Sequence, residues 1–412
     1  MTSTSGDGDA DPDPAHARAP SAGSVPESLR VPRLEDLGDV SGKRVLVRCD
    51  FNVPLRRTSA EDYEVVDDFR IRAALPTIAW LVDHGAQVTT CSHLGRPHGV
   101  ADPQWTMEPV RRRLAELAPG VELMDNLRFD PGEEANDPAF VERLIEGQDL
   151  YVNDAFGVSH RSHASIIGPP EFLRSAAGRL LEREIAAFGA LLGHPHRPFT
   201  AVVGGAKVAE KIGLLAALSR RVESLIIGGG MVFTFLATLG HEIGESLFEA
   251  DQVDACKALL DSGRRILLPT DVVALGPGGV IGPDRAASSG EVRVVGRDIP
   301  DGWRGLDIGP GSAAAYAAEI ADAATVFWNG PMGVFEDERF APGTETVARA
   351  VAGCSGFTVA GGGETVSAID HWGLERDISF VSTGGGAAMD LIEGGDLPGI
   401  AALRHGTRWG QA

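Results

Sequence analysis

Short apolar runs alternate with amphipathic stretches along most of the 412-residue chain. KRVLVRCDFNVPL begins as an apolar strand and runs into a polar turn at Asp50 and Asn52. RIRAALPTIAWLVDHGAQVTTCSHLGRPHG reads as a helix, a strand and a loop carrying His93 and Arg96. The pattern recurs in VELMDNLRF, DLYVNDAFG, TAVVGGAK, SLIIGGGM, TVFWNGPMG, FTVAGGGE and ISFVSTGGG, each a brief strand ending in a polar or glycine loop. DPAFVERLIEG and GSAAAYAAEIADAA supply helical stretches between them. Such alternation predicts parallel sheets covered on both faces, with ligands bound outside the carboxyl ends of the strands.

The loops change character midway. Before about residue 165 they carry arginine and histidine, and after about residue 200 they carry glycine, which predicts two domains with different ligand surfaces. The expected fold is α/β, with two doubly wound, Rossmann-like parallel-sheet domains. AAGRLLEREIAAFGALLGHPHRPF places Leu181, Ile185, Phe188 and Leu192 at helical spacing before a Gly-His-Pro stop, so a connecting helix is expected over 179–194. The first domain then spans 33–178, the second 195–394, and 395–412 forms a closing segment. Residues 1–32 are rich in Asp, Pro, Ser, Gly and Ala and read as a disordered acidic tail.

Charge narrows the function classes. The net charge of −21 argues against general nucleic-acid or anionic-membrane binding. A local arginine cluster can still oppose that field and take a small anion. The four cysteines, Cys49, Cys91, Cys256 and Cys354, have no metal or redox spacing and read as reduced core residues. With no membrane-length apolar run and no signal-like start, a cytoplasmic protein is expected.

The first set of loops offers Asp50, Asn52, Arg70, His93, Arg96, Arg128, His160 and Arg161. Each arginine alone reads better as a surface ion-pair partner, but grouped on one rim they suit a small, highly charged anion. In the second set, VVGGAKVAEK holds Lys207 and Lys211, two of only four lysines in the chain. A strand, a glycine turn and a helix start can set backbone N–H groups and an ammonium against phosphate; the alternative is two solvated helix lysines. Glycine triplets at Gly228–Gly230, Gly361–Gly363 and Gly384–Gly386, and GPG at Gly309–Gly311, are either anion nests or tight turns. Glu336 can accept from ribose hydroxyls or be a loop acid. Glu364 can hold Mg²⁺ near nucleotide phosphates or simply suit a helix N-terminus. Neither a Walker A motif nor a well-placed dinucleotide fingerprint occurs.

From about Arg44 to Leu403 these segments resemble the phosphoglycerate kinase family. The resemblance rests on RCDFNVPL, RIRAALPTI, SHLGRP, NLRF, YVNDAFGVSHRSHAS, GGAKVAEKI, LIIGGGMVFTFL, WNGPMGVFE and STGGGAAMDLIEG. It implies a hinge-bending monomeric kinase whose first domain binds 3-phosphoglycerate or 1,3-bisphosphoglycerate and whose second binds Mg-ADP or Mg-ATP. Family substrate contacts fall on Asp50, Phe51, Asn52, Arg70, His93, Leu94, Gly95, Arg96, Arg128 and Arg161, with His160 beside them. Nucleotide contacts fall on Lys207, Lys211, Gly309, Asn329, Glu336, Gly362, Gly363, Glu364 and Thr365. Arg70, Lys207, Gly362, Gly363 and Gly385 match groups that stabilise the phosphoryl group in flight. A carboxylate acceptor is already ionised at neutral pH, so the absence of a base dyad agrees with this chemistry.

Two departures stand out. Glu364 occupies the position where the family has an Asp metal ligand, and one more methylene must be fitted around an ion that demands octahedral geometry. Between SHLGRP and NLRF the chain is shorter than the family form by about one strand-plus-helix unit. A divergent relative acting on another small carboxylate, or a non-catalytic nucleotide- or metabolite-binding protein, are the alternative readings.

Overall fold

The structure, a computed structural model, describes residues 25–59, 62–282 and 288–406. Seven strands belong to the first half: β1 (Arg44–Cys49), β2 (Leu55–Arg57), β3 (Tyr63–Val65), β4 (Gln87–Cys91), β5 (Glu122–Leu123), β6 (Leu150–Asp154) and β7 (Arg174–Ala177). Five form a parallel sheet in the order β5-β4-β1-β6-β7, and β2 and β3 pair as a small hairpin. The second half contributes β8 (Phe199–Val203), β9 (Ser224–Ile227), β10 (Ile266–Leu267), β11 (Val272–Leu275), β12 (Val292–Val295), β13 (Arg304–Ile308), β14 (Thr325–Asn329), β15 (Phe357–Ala360) and β16 (Phe380–Val381). Its parallel sheet runs β10-β9-β8-β14-β15-β16. The central strands β6, β8 and β14 are buried at every position, which is why they appear in sequence as continuous apolar runs.

Both sheets wind outward, return to the centre and wind out the other way. The reversal falls between β1 and β6 in the first, where Cys49 pairs with Asp154, and between β8 and β14 in the second, where Val203 pairs with Asn329. A doubly wound sheet leaves its ligand crevice at these reversals. Asp50 follows the first directly, and the GGAK loop and Asn329 lie at the second.

The helix Arg179–Leu192 joins the halves, close to the expected span. Leu181, Ile185 and Phe188 are buried as their spacing predicts. Asp154, at the end of β6, caps its start, with Oδ1 accepting from the N–H of Leu180 at 2.9 Å and of Leu181 at 3.3 Å. Phe188 stacks on Phe156 of the first half and meets Phe327 of the second edge-on, at 5.6 and 6.4 Å between centroids.

Two features differ from the sequence expectation. Residues 25–32 are not part of a loose tail. Leu29 is buried, Val25 and Val31 pack beside it, and Ala177 N–H donates to the Pro32 carbonyl at 2.8 Å. Composition averaged over a long acidic stretch concealed these three apolar anchors. The remaining tail positions, 1–24, lie outside the described residues. An antiparallel sheet, β12-β11-β13, also went unforeseen, because its strands are short and only partly buried. The helix Pro398–His405 packs on the helix Ala164–Ile167 of the first half.

Candidate active site

The first rim is built on loops that follow parallel strands. Asp50 is nearly buried just beyond β1; its Oδ2 accepts from Arg70 Nη1 at 2.8 Å, and its Oδ1 accepts from Asn52 N–H at 3.2 Å. Burial alone would raise its carboxyl, yet the Arg70 and Arg48 guanidinium groups, helped by the Asn52 N–H, hold it below the ordinary carboxylate range. Asn52 Oδ1 accepts from Gly95 N–H at 2.8 Å, tying the DFN turn to the HLGR loop. Gly95 has φ +62° and lies against Trp105, so that an added Cβ would fall 2.2 Å from the ring. Phe51 and Leu94 are buried, with Phe51 N–H donating to Ser92 Oγ and Leu94 N–H to Asn126 Oδ1. These two shape the rim through their backbones.

Arg128 is buried under the HLGR loop and donates through Nη1 to the Gly95 carbonyl at 2.8 Å. Burial and the neighbouring Arg161 charge push it down to about 10. Arg96 is exposed at the mouth. His160 lies where the halves touch: a Cβ on Gly386 would stand 3.5 Å from its Nε2. Seven buried side-chain nitrogen and oxygen atoms lack a hydrogen bond among the described residues, and five of them belong to Arg128, His160, Arg161 and His163. Arg128 Nε is 3.3 Å from Glu134, but without hydrogen-bond geometry. Buried polar groups are rarely left idle, and here the unpartnered ones concentrate on four neighbouring basic residues.

The second rim has an ammonium and open amides. Lys211 begins the helix Ile212–Ser219, and its Nζ donates to Asn329 Oδ1 and approaches Met389 Sδ at 3.3 Å. Burial lowers its pKa, against the pull of Glu364, Glu210 and Glu393. Lys207 is exposed and, among the described residues, pairs with Glu210 at 3.3 Å. Asn329 Nδ2 donates to the Gly361 carbonyl at 2.7 Å, and Thr365 Oγ1 accepts from Gly330 N–H at 2.7 Å. These bonds fix the third glycine loop at the sheet reversal. Gly362 has φ +103° and precedes the helix Gly363–His371, which has no side-chain cap. A Cβ on Gly385 would lie 3.3 Å from Gly362 Cα, so the last two glycine loops present their amides side by side. Glu364, next to Gly363, is exposed, and so is Glu336.

The other two glycine clusters serve packing. A Cβ on Gly229 would come within 2.5 Å of Gly205, and the N–H groups of Gly228 and Gly229 donate to the Val203 and Met332 carbonyls. At Gly309–Gly311 the carboxylate of Asp271 already occupies the helix start, accepting from Gly311 and Ser312 N–H at 2.9 and 2.7 Å. Gly309 itself donates to the Asp271 carbonyl and offers no open amide. A separate apolar pocket of about 460 Å³ lies beside it, lined by Val273, Val294, Ile308, Pro310, Ala313 and Thr346 among others; none of the predicted ligand contacts lines it.

The halves meet at the rims. Gly157, in the turn after β6, is so placed that a Cβ would fall 2.7 Å from Asp50 Oδ2 and 3.4 Å from the Thr383 carbonyl. From the connecting helix, the buried Glu184 accepts from Ser382 Oγ, Thr383 N–H and Thr383 Oγ1 at 2.8, 2.7 and 2.8 Å. Sequence reasoning passed over Glu184, Arg48, Asn126, Glu133 and His163. For Arg48 and Glu184 the available signal was a charged residue inside an otherwise apolar strand or helix face.

A cation-rich rim facing an amide-lined glycine rim, on two doubly wound domains joined by one helix, defines a two-domain phosphotransferase. The family model described as Phosphoglycerate kinase matches residues 34–122 and 116–395. Among named relatives, the phosphoglycerate kinase of Parafrankia sp. (strain EAN1pec) is 47% identical over 405 residues, covering 90% of this chain and 99% of its own length. That of Moorella thermoacetica is 47% identical over 398 residues, covering 90% and 98%. The solved phosphoglycerate kinase from Coxiella burnetii superposes with TM-score 0.80 at 35% identity, covering 91% of this chain and 99% of that one. This chain belongs to the phosphoglycerate kinase family. It is an enzyme that catalyses a reversible phosphoryl transfer of glycolysis.

Proposed function

We propose that the first rim holds 3-phosphoglycerate or 1,3-bisphosphoglycerate and the second holds ADP or ATP, with the phosphoryl group passing between them. The observation that carries this reading is the set of unpaired buried nitrogens on Arg128, Arg161, His160 and His163, of which those of the two arginines can only donate. A phosphate on the phosphoglycerate is an acceptor these groups can share. Asp50, Asn52 and the backbone of Phe51, Leu94 and Gly95 orient the remaining hydroxyl and carboxyl oxygens, and Arg70 and Arg96 add charge at the mouth.

Transfer to ADP breaks the acyl phosphate bond as the β-phosphate oxygen of ADP forms the new P–O bond, and the carboxylate of 3-phosphoglycerate leaves without needing a proton. In reverse the carboxylate attacks, already ionised. The protein's task is to align the two oxygens and balance charge on the three equatorial ones. Arg70 from one side, Lys207 from the other, and the N–H groups of Gly362, Gly363 and Gly385 supply that balance. Lys207 leaves Glu210 to do so. Lys211, Asn329 and Thr365 hold the loop that carries the nucleotide phosphates, Glu336 takes the ribose, and Gly309 shapes the adjoining turn through its bond to Asp271.

Mg²⁺ comes with the nucleotide and screens its phosphates. Glu364, exposed at the start of the helix Gly363–His371, would hold the ion and help to balance the phosphate charge. The domains are 33–178 and 195–394, and the first is shortened. The two matched stretches of the family model overlap at residues 116–122, from the end of the helix Glu108–Leu117 to the start of β5, and the first sheet has five strands. Both rims belong to one chain, so a monomer is a complete catalyst. The four cysteines are free, in keeping with a reducing cytoplasm.

A coupled assay with Mg-ATP and 3-phosphoglycerate tests the reading. Turnover with 3-phosphoglycerate is expected. Tight nucleotide binding with turnover only on other carboxylates would overturn the substrate assignment.

A further inference from the structure

The nearest fixed charge to His93 is supplied by the protein itself. Arg48 lies on β1 two residues before Asp50 and is fully buried. Its Nε donates to Ser165 Oγ at 2.8 Å, its Nη1 to the Cys49 carbonyl, and its Nη2 stands 3.3 Å from His93 Nδ1. Glu133, equally buried, lies 4.0 Å from Arg48 Nη2 and accepts from the N–H and hydroxyl of Ser165 at 2.9 and 2.7 Å. Ser165 and Glu133 therefore fix the guanidinium from behind.

A guanidinium has donors and no acceptor. The ring nitrogen that meets Arg48 must present its lone pair, which leaves the single imidazole proton on Nε2. Asp50 is the carboxylate nearest the ring, yet its Oδ1 is 4.0 Å from Nδ1, beyond hydrogen-bond reach, and it is already engaged by Asn52 N–H. Arg128 and Arg70 complete the charges around the ring. A proton on Nδ1 would set N–H against N–H beside these guanidinium groups in a buried space. Burial first, and then Arg48, Arg128 and Arg70, outweigh Asp50 and hold the imidazole pKa well below its ordinary value.

We propose that Arg48 is a positioning residue that holds His93 as the uncharged Nε2–H tautomer, so that the first rim meets its substrate with permanently charged arginines and one neutral imidazole donor. The charge of the rim then does not follow pH through the range in which free histidine titrates, and His93 cannot draw a proton into a transfer that needs none. The kinetic part of this inference rests on the assignment of His93 to the phosphoglycerate site; the spectroscopic part does not.

The test is nitrogen NMR of the full-length protein carrying ¹⁵N-histidine, with the His93 signals assigned by their loss in His93→Gln. The expected result is a neutral ring, protonated on Nε2 and with a hydrogen-bonded Nδ1, from about pH 5.5 to 8. An Nδ1–H tautomer, an imidazolium by about pH 6, or an Nδ1 with the shift of a free acceptor would each overturn the proposal. In Arg48→Met the Nδ1 signal should lose its hydrogen-bonded shift and the ring should titrate at a higher pH than in the wild type, still below its ordinary range because burial, Arg128 and Arg70 remain. The KM for 3-phosphoglycerate should then change across that titration while kcat changes less. A ring in that variant that stays neutral and Nε2-protonated would remove Arg48 from the account. If Arg48→Met does not fold, the wild-type Nδ1 shift decides alone.

Discussion

Replacing Glu184 with Gln should stabilise this protein at pH 8 and leave it almost unchanged at pH 5. Glu184 is fully buried on the connecting helix and accepts three hydrogen bonds from Ser382 and Thr383. Burial nevertheless dominates and raises its carboxyl from the ordinary 4.5 to about 7. Between those values the folded protein keeps a proton that the unfolded chain has released, so stability falls as pH rises through the window. At about 1.4 kcal/mol for each pH unit, the loss reaches roughly 3 kcal/mol by pH 8. Gln mimics the protonated acid. Its carbonyl still accepts from Thr383, and Ser382 can turn its hydroxyl to accept from the amide. The expected gain at pH 8 is about 1–3 kcal/mol, or several degrees in Tm for domains of this size. Scanning calorimetry of wild type and Glu184→Gln at both pH values checks it. Equal destabilisation at pH 5 and pH 8 would refute the reasoning, since it would mean that the carboxylate is needed in its charged form.

Lys207→Ala should lower kcat about a hundredfold or more, as the loss of a transition-state charge does. It should leave Tm unchanged, because the side chain is exposed and its ion pair with Glu210 is exposed too. Gly157→Ala drives a methyl against Asp50 and should raise KM for 3-phosphoglycerate at a stability cost of about 1–3 kcal/mol; steady-state kinetics and urea unfolding measure both. Glu364→Gln should weaken calorimetric Mg-ADP binding about tenfold, and metal-free ADP binding should not weaken with it.

Much of the fold could be read in the sequence because buried parallel strands leave an unmistakable apolar run, and the polar ends of β1, β6 and β14 carry site residues directly. The two-residue strands β5, β10 and β16 follow from neighbours and have no pattern of their own. Glycine loops were harder to sort. Gly309–Gly311 and Gly361–Gly363 look alike in sequence, and they differ because Asp271, 40 residues before Gly311, fills one helix start while the other is left open. Arg48 was missed for a related reason: an arginine in a strand reads as an edge or a surface, and only the fold shows Ser165 and His93 closing around it. The group of arginines and histidines proposed as the anion site could be picked out in the sequence, but its unpaired nitrogens could not, because they depend on burial.

The central claim is that a cationic rim and an amide rim close on one phosphoryl group. A crystal structure with 3-phosphoglycerate, Mg-ADP and a planar metal fluoride in the phosphoryl position tests it most directly. The Arg70 guanidinium, the Lys207 ammonium and the N–H groups of Gly363 and Gly385 should lie within about 3 Å of the fluorines. Lys207 still paired with Glu210 in solvent, with the fluoride contacted by one domain alone, would contradict it.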